Sequence, residues 1–215
     1  MQLNLPGFWR MICMNKGIVI FIEGDTEEEF FKKLLECIRS LCEEKRFSTS
    51  RIVIRNLKGI GNYKNRVYRV FTKEILPRNP GISFNVFLCY DTDVFEFSQK
   101  PPVNWKDVEK VLKDNGAEKV IHIKANKSIE DWFLKDLYGL CKYLKLPLST
   151  GLNGSNSVKK MENLFKKGNK VYIKGGKAHG FIEALDIKKI MKEICCEIKP
   201  LCKDLGVKCN GEKCN

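Results

Sequence analysis

The chain has 215 residues, 39 Lys and Arg against 26 Asp and Glu, and a net charge of +13. That length fits one large domain, or one domain with a small appendage, and a hydrophobic fraction of 43 % can fill a core. No apolar run approaches the length of a membrane span. The first 13 residues lack the basic start and continuous apolar stretch of a secretory signal, so a cytoplasmic chain that keeps its ten cysteines reduced is expected.

Residues 1–13 read as a peripheral extension, with Met14 just ahead of the first regular pattern. Gly17-Ile-Val-Ile-Phe-Ile22 is apolar and β-branched, the signature of a buried parallel strand. Asp25, with Glu28 three residues on, predicts a helix N-cap. The helix that follows gathers Phe30, Phe31, Leu34, Leu35, Ile38, Leu41 and Cys42 on one face. Residues 51–55 predict a second strand, Gly59-Ile-Gly61 a break, and residues 62–76 a basic helix stopped by Pro77. A third strand is predicted over 82–90, a loop over 94–104, a helix over 105–113 and a fourth strand over 119–124. Ser128 is expected to cap a helix reaching residue 144. Past the Gly/Ser/Asn-rich stretch 149–157, the pattern predicts a helix over 158–167 and a weak last strand over 171–173. A helical turn over 181–185 and a final helix over 187–201 complete it. Cys37, Cys42, Cys89 and Cys141 fall within apolar patterns and read as core filler.

Strands alternating with amphipathic helices predict an α/β fold, a mainly parallel sheet with helices on both faces. The expected division is an α/β core over 14–148, a helical part over 149–205 that completes the domain, and a Cys-containing tail over 206–215. In such sheets sites form beyond the carboxyl ends of the strands. The first strand ends in Glu23-Gly24, with Glu27 in the next helix's first turn. The third ends in Asp91-Thr92-Asp93, and the fourth is followed by Ser128-Ile129-Glu130. Carboxylates on one edge repel one another unless hard cations with oxygen ligands neutralise them. Each piece also has a plainer explanation: Glu28 and Glu29 complement the helix dipole, Asp91 and Asp93 end a strand, and Glu130 stabilises a helix start. The basic charge attracts polyanions, although a lysine-rich, soluble surface gives the same total.

Ile22-Glu23-Gly24-x-Thr26-Glu27 followed by Tyr90-Asp91-Thr92-Asp93 resembles the TOPRIM domain, whose signature is a glutamate after the first strand and D-x-D after the third. Ser128-x-Glu130, with Trp132 and Leu134, is similar to the OLD and RloB-like branch found in phage defence. The resemblance spans residues 16–190 and implies a Rossmann-like TOPRIM fold and a metal-dependent nuclease. Glu23, Glu27, Asp91, Asp93 and Glu130 would hold two Mg2+ or Mn2+ ions, with Ser128 in support. That branch also uses a late lysine, here Lys177 or Lys174; Lys177 is preferred because Gly175-Gly176 permits a close turn. Gly24 would let the backbone bend and leave room for a phosphate. Lys64, Arg66 and Arg69 are candidates for steering a nucleic-acid backbone, DNA or RNA, and His179 is a secondary candidate near the site. OLD proteins carry a fused ATPase, but no G-x-x-x-x-G-K-[ST] occurs here, so a stand-alone nuclease or one with a separate ATPase subunit is implied. A homo-oligomer is left open.

Cys195, Cys196, Cys202, Cys209 and Cys214 lack the C-x-x-C pairs of structural zinc sites, which disfavours zinc. His122 alternates with Ile121 and Ile123 and reads as packed or surface. A D-x-D-x-T phosphatase is disfavoured because position 95 is Phe95, and a glycosyltransferase leaves Glu23-Gly24 and Glu130 without purpose. The competing class is a non-catalytic module that binds nucleic acid or a partner.

Overall fold

The computed structural model describes residues 15–41, 51–93, 103–177 and 180–207. Four strands form one sheet: β1 (Asn15–Ile22), β2 (Arg51–Asn56), β3 (Ile82–Asp91) and β4 (Ala117–Ala125), in the order β2-β1-β3-β4 and all parallel. Residues 17–22 of β1 and 84–91 of β3 are buried throughout, as expected of strands covered on both faces. Successive side chains leave opposite faces. Ile18, Ile20 and Ile22 therefore join one core and Val19 and Phe21 the other, while on β3 Phe87 and Cys89 join the first and Val86, Leu88 and Tyr90 the second.

The second core is closed by α2 (Asn62–Val70), which runs on as a π-turn over Phe71–Ile75, and by α3 (Trp105–Asp114). The first is larger. It takes in α1 (Asp25–Leu41), α4 (Ile129–Phe133), α5 (Leu137–Leu144), α6 (Ser157–Lys167), α7 (Ile187–Glu193) and α8 (Cys195–Asp204). Trp132 and Phe133 from α4 meet Phe30 of α1 with ring centroids 5.9 and 5.4 Å apart. Asn85, buried on β3, donates to Asp204 Oδ2 at 2.5 Å, tying α8 to the sheet. Among the described residues no helix is long and apolar enough to cross a membrane.

Several local expectations are corrected. The predicted helix over 128–144 is broken into α4, a 3-10 turn (Leu134–Asp136) and α5. Asp136 takes φ −115°, ψ 63°, and its buried carboxylate accepts from Asp186 N and Lys189 Nζ instead of facing solvent. The predicted helix over 187–201 divides at Ile194 into α7 and α8. Residues 171–173 form no strand; their apolar alternation buries Tyr172 and leaves Val171 and Ile173 exposed. Asp25 lies inside α1, and its carboxylate binds Asn56 Nδ2 and Lys58 Nζ rather than capping the helix. Cys195 is disulfide-bonded, against the expectation of reduced thiols throughout. Cys42, Cys209, Cys214, the 1–13 extension and most of the 206–215 tail lie outside the described residues.

Candidate functional site: an acidic pocket at the switch point

The strand order reverses between β1 and β3: the chain leaves β1 toward β2 on one side and later continues through β3 to β4 on the other. Loops diverge there at the carboxyl ends, which opens a crevice. Glu23 follows β1 and Asp91 ends β3, so these two residues flank that crevice. They are joined directly, Glu23 Oε1 accepting from Asp91 N at 2.9 Å. By the two-residue period of β3, Asp91 leaves the same face as Cys89, toward α1 and α4. There its Oδ1 accepts from Ile129 N at 2.9 Å. Asp91 thus caps α4, the role expected of Ser128, whose buried side chain makes no capping bond.

The middle residue of D-T-D explains the local geometry. Thr92 Oγ1 donates to Ala125 O at 3.1 Å and accepts from Lys127 N at 2.8 Å. Lys127, at φ 66°, accepts from Thr92 N and Asp93 N through its carbonyl. The end of β3 and the β4–α4 loop are therefore cross-tied, which brings Glu130 beside Asp91. Glu130 is wholly buried, and its Oε1 accepts a 2.6 Å bond from the Tyr172 hydroxyl, a distance typical of a charge-assisted bond.

The segment after Tyr172 closes over this edge. Lys174 Nζ stands 2.9 Å from Asp91 Oδ2 and 2.9 Å from Asp93 Oδ2. Asp25 N donates to Gly175 O at 3.1 Å and Thr26 Oγ1 to Gly176 O at 2.5 Å. Gly24 allows this contact: a Cβ there would lie 2.6 Å from Glu27 Oε2 and 2.7 Å from Gly175 Cα. The room expected for a phosphate is thus filled, on the side a Cβ would take, by the chain's own backbone. Of the two lysines, Lys174 reaches the carboxylates. Lys177 is exposed and pairs with none of these five carboxylates among the described residues. His179 lies outside the described residues.

Burial strains the charges. Glu23 is pushed up to about 8, first by burial and then by Asp91, Glu27 adding a smaller push in the same direction. Glu27 rises to about 7 by burial, with Asp91 and Glu130 adding to it. Burial also lifts Asp91 to about 6, although Lys174 pulls it back. For Lys174 itself burial acts downward, but Asp91, Asp93 and Glu130 outweigh it and hold the ammonium above the usual lysine range. The five carboxylates therefore act on one another as a single electrostatic cluster. Between Glu23, Glu27, Asp91, Ala125 and Trp132 is a cavity of about 10 Å3, room for about one water or ion. Glu27 Oε2, Asp93 Oδ1 and Glu130 Oε2 are buried without a hydrogen-bond partner.

Oxygen-only donors with bare buried atoms suit a hard cation. Yet among the described residues no three His, Cys, Asp or Glu side chains are arranged to hold a metal ion; the Lys174 ammonium lies between Asp91 and Asp93. That arrangement does not suit a closed calcium or zinc cage. Magnesium needs less from the protein, commonly one or two carboxylates with water and substrate phosphate completing the octahedron, and the donor set fits it on those terms.

The remaining candidates lie apart. Lys64, Arg66 and Arg69 are exposed along α2, and Arg66 Nη1 donates to Leu57 O at 2.9 Å, bracing the β2–α2 loop. His122 is packed between Tyr90 (3.0 Å) and Glu109 (2.9 Å), with Trp105 edge-on to its ring. Tyr172 was not singled out in the sequence; the one signal for it was its place as the inward member of an apolar alternation.

Fold and site together define a doubly wound parallel α/β protein with an acidic pocket at its switch point. Compared with family models, with curated proteins and with solved structures, the chain finds no match.

Proposed function

We propose that the chain is a divalent-metal-dependent nuclease of the TOPRIM type, in the OLD and RloB-like branch, hydrolysing a phosphodiester of DNA or RNA. The observation that carries this is the convergence of Glu23, Glu27, Asp91, Asp93 and Glu130 from three strand ends, with bare buried oxygens on Glu27, Asp93 and Glu130 and with the Glu23, Glu27 and Asp91 carboxyls pushed upward by burial. Such crowding costs stability in the free protein and is relieved by cations, a trade associated with function rather than with folding. The net charge of +13 favours a polyanionic substrate despite the acidic edge.

When bound, magnesium or manganese would activate water and stabilise the leaving oxygen. Asp91, Asp93 and Glu130 are its candidate ligands, with Glu23 and Glu27 at the α1 side. Glu23 fixes the end of β3 through Asp91 N, Tyr172 orients Glu130, and Lys174 supplies positive charge beside the scissile phosphate.

The test is Asp91→Asn with Asp93→Asn in one chain, assayed on labelled single- and double-stranded DNA and RNA with magnesium or manganese. Loss of metal-dependent cleavage is expected; undiminished cleavage rejects the proposal. A second reading is a non-catalytic module that binds nucleic acid or a separate ATPase. The bridging of Asp91 and Asp93 by Lys174 favours it, since the aspartates then have a counter-ion without metal. It requires that neither magnesium nor manganese raise the melting temperature.

A further inference from the structure

Beside the acidic pocket opens a cleft of about 370 Å3, its floor formed by Glu23 and Glu27 and its two rims by Lys58-Gly59 and Lys174-Gly175. That volume falls within the roughly 300–1,000 Å3 of ligand pockets. Glu27, 7 % exposed, is one of its lining residues and keeps a buried Oε2 without a partner, while the rims carry the ammonium groups of Lys58 and Lys174.

The Lys58 rim is a built loop. Lys58 has φ 62° and Gly59 φ 112°. Leu57 N donates to Ile22 O at 2.9 Å and Gly59 N to Glu23 O at 2.8 Å, which pins the loop to the end of β1. Lys58 N donates to Asn56 Oδ1 at 2.8 Å, and Asn62 Nδ2 donates to Lys58 O at 2.8 Å. A left-handed position of this kind is served best by Gly or Asn. Lysine also occupies this conformation at Lys127 and Lys145, so the turn tolerates it without requiring it; what Lys58 brings to the rim is an ammonium group. The Lys58 ammonium rests on Asp25 Oδ1, which Asn56 Nδ2 also reaches at 2.7 Å, and its side chain is 57 % exposed. An ammonium has three donors, so the Asp25 contact sets its position and leaves donors for a second anion.

We infer that Lys58 is a phosphate-binding residue of this cleft, holding the nucleic-acid backbone across from Lys174, one subsite away from the acidic pocket. This rests on the proposal that the pocket acts on a phosphodiester. Lysine serves here as a point charge for a phosphate oxygen.

The discriminating variant is Lys58→Asn, which removes the charge and its exposed pair with Asp25 yet suits the turn, so its melting temperature should stay within a few degrees of the wild type. Binding of fluorescein-labelled 20-nucleotide single-stranded DNA, single-stranded RNA and duplex DNA is followed in EDTA across a KCl series. Lys58→Asn should weaken binding and lower the slope of log K against log salt by about 0.7–0.9. Lys58→Arg should restore the slope, and Lys119→Ala, at the opposite end of the sheet, should leave it unchanged. An unchanged slope in Lys58→Asn, or an equal change in Lys119→Ala, overturns the assignment. If the aspartate variants lose cleavage while Lys58→Asn keeps its slope, the Lys58 inference alone falls. If no probe binds, the Lys58 inference falls, while the nuclease proposal is decided separately by metal-dependent cleavage in the aspartate variants.

Discussion

Replacing Tyr172 by Phe removes one oxygen and keeps the ring. The ring packs against Phe165 and Phe181 with centroids 5.3 and 6.0 Å away, so the core contacts survive. What is lost is the 2.6 Å bond to Glu130 Oε1. Glu130 is fully buried and its other oxygen has no partner, so the variant leaves a buried carboxylate without a hydroxyl donor. Hydrogen bonds to charged groups contribute about 1.5–3 kcal/mol. A loss of about 2 kcal/mol is expected, equivalent to a fall of roughly 4–8 °C for a chain of this size. Urea unfolding of Tyr172→Phe, Glu130→Gln and the double variant closes a thermodynamic cycle, and coupling above about 1 kcal/mol is expected for partners in direct contact. A Tyr172→Phe variant within about 0.5 kcal/mol of the wild type, the range of inconsequential substitutions, refutes the claim that this hydroxyl holds Glu130.

Glu23, Glu27 and Asp91 have folded pKa values of about 8, 7 and 6, all raised. The folded state therefore binds protons more tightly than the unfolded one at these sites, and their charging opposes folding as pH climbs. In EDTA the melting temperature should fall between about pH 4, where the unfolded carboxyls ionise, and about pH 8, where the last folded one does, and recover with magnesium at the upper end; a flat or rising profile in EDTA contradicts the burial argument. Gly24→Ala places a Cβ against Glu27 and the Gly175 backbone and should cost about 1–3 kcal/mol by overpacking, read by urea unfolding; a neutral result means that the 174–176 segment is not seated on Gly24. Lys174→Met leaves the Asp91 and Asp93 pair without its ammonium. Because Lys174 is 37 % exposed, solvent screening limits the loss to about 1–2 kcal/mol. Magnesium should restore more of that loss in the variant than it adds to the wild type, measured by melting with and without the ion.

The strands and their faces were legible because burial imposes a period. The run at 17–22 is apolar throughout and the run at 82–90 nearly so, broken by Ser83 and Asn85, and a doubly covered parallel strand calls for that. The acidic positions were legible for the same reason, since all strands of a parallel sheet bring their carboxyl ends to one edge. Helix interruptions were not legible. Asp136 and Ile194 sit inside stretches with continuous helical periodicity, and it is Asp136's bonds to Asp186 N and Lys189 Nζ, from a distant segment, that accompany the first break.

The choice between Lys174 and Lys177 marks the limit. Glycine spacing favoured Lys177, yet the alternation of residues 171–173 stops short of residues 174–177, which have no repeating pattern from which side-chain direction follows. Their path is set by docking, with Tyr172 on Glu130 and the Gly175 and Gly176 carbonyls on α1, and docking turns Lys174 toward the aspartates. Sequence alone determined the layered parallel α/β fold and the edge on which its acids gather, because periodic burial is written residue by residue. Only the tertiary structure decided which polar partners meet at that edge, because such contacts join segments whose separation along the chain carries no period.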